Sequence, residues 1–133
     1  MRPSGDPIES LRGDHEDVLK TLAMLKDVLE DDEGEWRQSI LTRVLAYLAE
    51  QLPSHMEEEE ELVYRHLTDV SMQIALTADH RRFRDWLIQG QDAIQAADQA
   101  RLASVLGHLG ECLTDHILIE NTTVFPSLID RPG

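Results

Sequence analysis

The segment Leu52-Pro53-Ser54-His55-Met56-Glu57-Glu58-Glu59-Glu60-Glu61-Leu62-Val63-Tyr64 sets an imidazole and a carboxylate, His55 and Glu59, four residues apart. Residues i and i+4 lie on one face of a helix, one turn apart. Leu41, Leu45, Leu48 and Leu52 precede them in alternating steps of four and three, and Leu62 and His66 follow in the same register. That is the spacing of a helical stripe facing a core. His55 and Glu59 therefore stand where leucine is expected. The helix carrying this stripe is expected over about residues 35–66. A kink is expected at Pro53, whose ring removes one backbone hydrogen bond and presses on the preceding turn.

Three more stripes flank this one. Leu11, His15, Val18, Leu22, Leu25 and Leu29 mark a helix over about 7–30. Asp6-Pro7-Ile8-Glu9 reads as its capped start and Asp31-Asp32-Glu33-Gly34 as its stop. Leu76, His80, Phe83, Leu87 and Ile94 mark a third helix over about 71–96, weakened by Gly90. Leu102, Leu106, Leu109, Leu113, His116 and Glu120 mark a fourth over about 98–123, ahead of Pro126. No segment shows a β alternation of comparable length. The expected fold class is all-α, an up-down-up-down antiparallel four-helix bundle forming a single domain over residues 1–133.

Composition narrows the function. The chain has 26 acidic and 12 basic side chains, a formal net charge of −14. That balance argues against nucleic acid, which needs clustered Lys and Arg, and against an anionic membrane surface. One cysteine, Cys112, rules out an internal disulfide and a cysteine-based zinc site. A cytoplasmic setting is expected, since residues 1–7 lack the apolar stretch of a signal peptide and no apolar run is long enough to span a membrane.

The polar residues on the stripes need compensation. Burying unpaired carboxylates and imidazoles costs several kcal/mol against a total stability of about 5–15 kcal/mol. A metal cluster supplies that compensation. His15 and His80 lie near the starts of their helices, and His55/Glu59 and His116/Glu120 toward the ends of theirs. Antiparallel packing then brings all six to one end of the bundle. The pattern also repeats: His15, His55 and Glu59 are echoed by His80, His116 and Glu120. Two similar hairpins related by an approximate twofold would supply one metal each, with the carboxylates placed to bridge. The tails after the carboxylates also align, Glu60-Glu61-Leu62-Val63-Tyr64 with Asn121-Thr122-Thr123-Val124-Phe125.

A lone His on one helix, then His-x-x-x-Glu with an apolar-aromatic tail on the next, occurring twice, resembles the hemerythrin-like (HHE cation-binding) family over about His15 to Pro126. The resemblance implies a non-haem di-iron site with an oxide or hydroxide bridge. His15 and His55 would serve one iron, His80 and His116 the other, and Glu59 and Glu120 would bridge them. Imidazole with carboxylate suits iron, with zinc and manganese ranking behind it. The family's oxygen carriers have a second His on the third helix, one turn from the first. Here those positions are Leu76 and Arg84, so the position of that His is left without an evident ligand and both irons would keep open positions.

One turn inward, Val18, Leu52, Phe83 and Leu113 are expected to wall an apolar ligand pocket that admits a small gas. The implied function is binding, sensing or reaction with O2 or NO. The alternatives are peroxide decomposition or another oxidative reaction, and iron storage or sensing. The expected partner is a small diatomic gas or peroxide, and the expected state a monomer or weak homodimer. Around the site, Glu57 to Glu61 read as a solvated face with only Glu59 turned in. Asp14, Asp79 and Asp115, each directly before a histidine, read as solvated surface, and Arg84 as the partner of a surface Asp. His66 reads as structural, and His108 and Tyr47 as general packing.

Overall fold

The computed structural model describes residues 7–30 and 34–129. Asp6 and residues 31–33, read above as a helix cap and a helix stop, lie outside them. Helix α1 spans Pro7–Glu30, α2 Gly34–Leu62, α3 Val70–Gln95 and α4 Gln99–Ile119. A 3-10 turn, Tyr64–His66, follows α2. A π-helical turn, Glu120–Val124, and a short helix α5, Phe125–Ile129, follow α4. Among the described residues there is no strand. Consecutive helices pack side by side and α4 closes against α1, giving the expected antiparallel four-helix bundle. No described helix is long and apolar enough to cross a membrane.

Local chemistry explains the joins. Asp69 caps α3 by accepting from the Met72 N–H at 3.1 Å, and Asp98 caps α4 by accepting from the Arg101 N–H at 3.0 Å. Between α3 and α4 the chain reverses at Ala97, whose φ is 54°. There the Asp98 N–H donates to the Ala93 carbonyl and the Ala97 N–H to the Ile94 carbonyl, at 2.9 and 3.0 Å. This paired ending of a helix usually carries glycine at the left-handed position. Helix α2 runs on through Pro53. Gly90 leaves room on α3 for a Leu45 side chain of α2, since a Cβ there would come within 2.8 Å of a Leu45 methyl group.

The stripes read from the sequence are buried over most of their length, including Leu11, Val18, Leu22 and Leu25 on α1 and Leu41, Leu45, Leu48 and Leu52 on α2. Four positions depart from them, the first being Leu29, half-buried while Val28 is buried beside it. Leu62 is 43% exposed and His66 is also exposed; Val63 and Tyr64 are buried instead. The reason is that α2 stops at Leu62, short of the expected residue 66, and Val63 takes φ −120° and ψ −62°. The tighter turn that follows rotates the next side chains inward. Ile94 is likewise turned out, and the smaller Ala93 takes the core position.

The core has two parts. The larger cluster fills the body of the bundle and includes Val18, Leu52, Met56, Phe83, Leu113 and Ile117. A smaller cluster of Leu11, Val63, Tyr64, Leu76, Val124 and Phe125 closes one end. The six polar residues of the stripes lie between these clusters on every helix: His15 between Leu11 and Val18, and His80 between Leu76 and Phe83.

Candidate metal centre

All six polar stripe residues are buried. His15, Glu59, His80, His116 and Glu120 are 0–2% exposed and His55 8%. The antiparallel arrangement brings the starts of α1 and α3 against the ends of α2 and α4, so the side chains converge. Their donor atoms form two groups, Glu59/His80/His116/Glu120 and His15/His55/Glu59, each with all members within 4.8 Å of one another. Glu59 belongs to both. Its Oε2 lies 3.0 Å from His15 Nε2 and 3.1 Å from His55 Nε2, while its Oε1 lies 3.2 Å from His80 Nε2. Glu120 Oε1 lies between His15 Nε2 at 3.2 Å and His116 Nε2 at 3.4 Å. Each carboxylate thus spans the two halves of the repeat.

All four imidazoles turn Nε2 inward and Nδ1 outward. The outer nitrogens each donate to an oxygen: His15 to Asn121 Oδ1 at 2.8 Å, His55 to Asp14 Oδ2 at 3.1 Å, His80 to Glu60 Oε2 at 2.7 Å and His116 to Asp79 Oδ2 at 2.9 Å. Carboxylate and amide oxygens only accept, so these partners hold a ring hydrogen on Nδ1 and aim Nε2 at the centre, where its lone pair is free for a cation once any second proton is lost. Two surface assignments from the sequence are corrected here. Asp14 and Asp79 are not simply solvated, because each reaches across to the histidine of the neighbouring helix rather than to the one beside it in sequence. Glu60 also turns toward the site, and it holds Arg84 as well, whose Nη2 lies 3.1 Å from the same oxygen. Asp115 and His108 are exposed, as are Glu57 and Glu61.

Sequence reasoning missed Tyr64, having read it only as part of an apolar-aromatic tail. Its side chain is fully buried, and its hydroxyl donates to Glu120 Oε2 at 2.5 Å. The Tyr64 phenol oxygen also lies 2.9 Å from His80 Nε2 and 3.0 Å from His116 Nε2. The available signal was the stripe itself. A stop in α2 just after Glu59 moves the inward direction from Leu62 to Tyr64, but nothing in the composition of Glu60 to Tyr64 marks that stop.

The electrostatics of the metal-free centre follow from burial and pairing. Burial works against protonation of His15, but the close carboxylates of Glu120 and Glu59 outweigh it and hold the imidazole up at about 10 against an ordinary 6.5. His116 is pushed up to about 9 in the same way, with burial opposed mainly by Glu120 and then Asp79. His55 is raised, with Glu59 overcoming burial. Burial favours a neutral Glu59, yet His15, His55 and His80 hold it well below the usual carboxylate range. Burial and the nearby Glu59 and Glu120 push the Tyr64 phenol far up.

The residues present fit a pair of cations. Four imidazole Nε2 atoms and two carboxylates converge in a layer that apolar clusters bound on both sides along the bundle. His55 Nε2 and Glu120 Oε1 are buried without a hydrogen bond, despite neighbours at 3.1 and 3.2 Å whose geometry is unsuitable. Buried polar atoms are rarely left so, and a cation would satisfy both. The expected pocket residues Val18, Leu52, Phe83 and Leu113 line the same cavity, which has a volume of about 10 Å³, near the limit for a single water. Phe83 sets its ring edge against His116 with centroids 5.2 Å apart. Leu76 packs in the end cluster.

Comparison with curated proteins and with solved structures gives no match. The family model described as the hemerythrin HHE cation binding domain matches residues 6–128, a span that takes in every residue of the buried polar layer. The repeated histidines and glutamates that converge here are thus found within a matched region covering nearly the whole chain, and the protein belongs to the hemerythrin HHE cation-binding domain family.

Proposed function

We propose that the centre holds two iron ions and that it binds, senses or reacts with a small diatomic molecule, O2 or NO. His15 and His55 would hold one ion and His80 and His116 the other, with Glu59 and Glu120 between them. Iron, when bound, supplies a change of oxidation state and coordination positions for a small molecule.

The observation that carries this reading is the convergence of four inward Nε2 atoms on two carboxylates that each span both halves. The chain's own residues do three things for such a centre. Asp14, Asp79, Glu60 and Asn121 fix the imidazoles so that no ring has to turn when a cation arrives. Glu59 and Glu120 offset the charge of the ions in a layer where water is excluded. Val18, Leu52, Phe83 and Leu113 present only carbon to the cavity, which favours an uncharged molecule. At about 10 Å³ the cavity is near the size of a single water, so a ligand of more than a few atoms would have to displace the side chains that line it.

The test is to load the purified chain with ferrous iron without air, measure the iron retained, and then add O2 or NO. Two irons per chain and a new visible absorption on adding gas are expected. Retained iron with no spectral response to either gas would sink the ligand-binding reading. Peroxide turnover that disappears in His80→Ala would make the centre an oxidative enzyme, and ready loss of iron to a weak chelator would make it a store or sensor of iron. Failure to retain any metal would remove the centre itself.

A further inference from the structure

The two halves of the repeat place equivalent residues on opposite sides of the centre, and they differ at two of them. Tyr64 and Phe125 each stand five residues after a carboxylate, Glu59 or Glu120. Both are buried, and each ring lies against the lone histidine of the other half: Tyr64 against His80 with centroids 5.0 Å apart, and Phe125 against His15 at 5.4 Å. Glu60 and Asn121, one residue after those carboxylates, occupy equivalent places too. Each accepts the Nδ1 hydrogen of that same histidine. Both differences fall on one side. His80 and His116 face a phenol oxygen, and His80 is backed by a carboxylate. On the other side His15 lies stacked on the hydrocarbon ring of Phe125, 9° from parallel, and is backed by a neutral amide.

The geometry points to Tyr64 as a further metal donor, through its phenol oxygen, to the ion held by His80 and His116 and to that ion alone. This assignment rests on the metal-centre reading above. The phenol oxygen sits within 3.0 Å of both imidazole nitrogens and within 2.5 Å of Glu120 Oε2, so it shares the space into which those three groups aim. Helix α3 has Leu76 and Arg84 one turn on either side of His80. The oxygen donor therefore comes from the 3-10 turn after α2 instead of a second imidazole from α3. Coordination replaces the O–H bond by an oxygen–metal bond, and the proton leaves to solvent, as protons do when metals bind ionisable ligands. On the other side Phe125 has no donor atom, so the two ions are chemically inequivalent.

The test is the visible and resonance Raman spectrum of the ferric protein. A phenolate bound to ferric iron gives a visible charge-transfer band whose excitation enhances tyrosine ring vibrations. The chain has two tyrosines, and Tyr47, half-buried at the edge of the main core, is the control. The expected result is a band with enhanced ring modes in the wild type and in Tyr47→Phe, and complete loss of both in Tyr64→Phe, compared per iron bound. Isotopic labelling of the tyrosine ring gives the same information on the unsubstituted protein, should Tyr64→Phe fold poorly. Iron bound in the wild type without tyrosine ring enhancement overturns the assignment and leaves the di-iron reading standing. An absence of bound iron overturns both.

Discussion

Asp79 accepts the Nδ1 hydrogen of His116 at 2.9 Å from a different helix, although in sequence it is the neighbour of His80. Asp14 holds His55 in the same way, at 3.1 Å, while being the neighbour of His15. Helices α1 and α3 thus each contribute one imidazole to the centre and, one residue earlier, the support for the imidazole of α2 or α4.

The first prediction concerns that support. Asp79→Ala should leave the fold intact, because Asp79 is partly exposed, and should weaken metal binding by about 10–100-fold. Competition against a chelator of known affinity measures this. An unchanged affinity would show that packing against Phe83 suffices to hold His116.

A second prediction follows from proton occupancy in the metal-free chain. His15 and His116 are raised from 6.5 to about 10 and about 9, because their carboxylate partners outweigh burial. Groups raised on folding contribute stability that is complete below their unfolded value and is lost as pH rises through the folded one. Glu59 is held well below 4.5. Its contribution is present above 4.5 and is lost as pH falls through its low folded value. The denaturation midpoint of the metal-free protein should therefore be highest between 4.5 and 6.5 and decline toward 10. Cations must displace the protons of His15 and His116, so apparent metal affinity should increase with pH over the same upper range. A flat stability profile between 6.5 and 10 would contradict the pairing seen in the buried layer.

Metal addition should stabilise the chain by mass action. At a free concentration about 100 times the dissociation constant, the gain is about 2.7 kcal/mol per independent site. The thermal midpoint should rise on adding ferrous iron without air and return when a chelator is added. His80→Ala should sharply reduce the rise.

Two further substitutions probe the frame that holds the centre. Ala97 sits at φ 54°, a conformation that glycine adopts without penalty, so Ala97→Gly should raise stability by about 0.5–1 kcal/mol. Phe83 is 1% exposed and packs in the main core against His116. Phe83→Ala should cost about 3–5 kcal/mol, read from urea unfolding of the metal-free protein. A loss below 1 kcal/mol would mean the surrounding side chains collapse into the space.

The bundle and the buried polar layer were legible because both rest on periodicity. Leucines in steps of three and four identify the buried faces, and a histidine or glutamate in that register has to be buried with them. Departures from that period were not legible. The stop at Leu62 and the π-helical turn at Glu120–Val124 change the residues per turn just after each carboxylate, so the stripe pointed to Leu62 and His66 where the chain buries Val63 and Tyr64. The supports of the imidazoles were hidden for another reason. Asp14, Glu60 and Asp79 sit at the edge of the buried face, where an acidic residue reads as ordinary surface, and their partners lie on other helices.

Sealing the polar layer between two apolar clusters also makes the chain a filter by solubility. A molecule entering through the end cluster has to pass among hydrocarbon side chains before it meets a nitrogen or oxygen of the centre. Small neutral species do so readily. Anions are stopped twice, first by an outer field carrying a net −14 and then by the loss of their hydration. For a neutral molecule on that route, buried side chains of the end cluster such as Leu11 and Phe125 have to step aside. Arrival at the interior should therefore quicken steeply on warming and be indifferent to added salt.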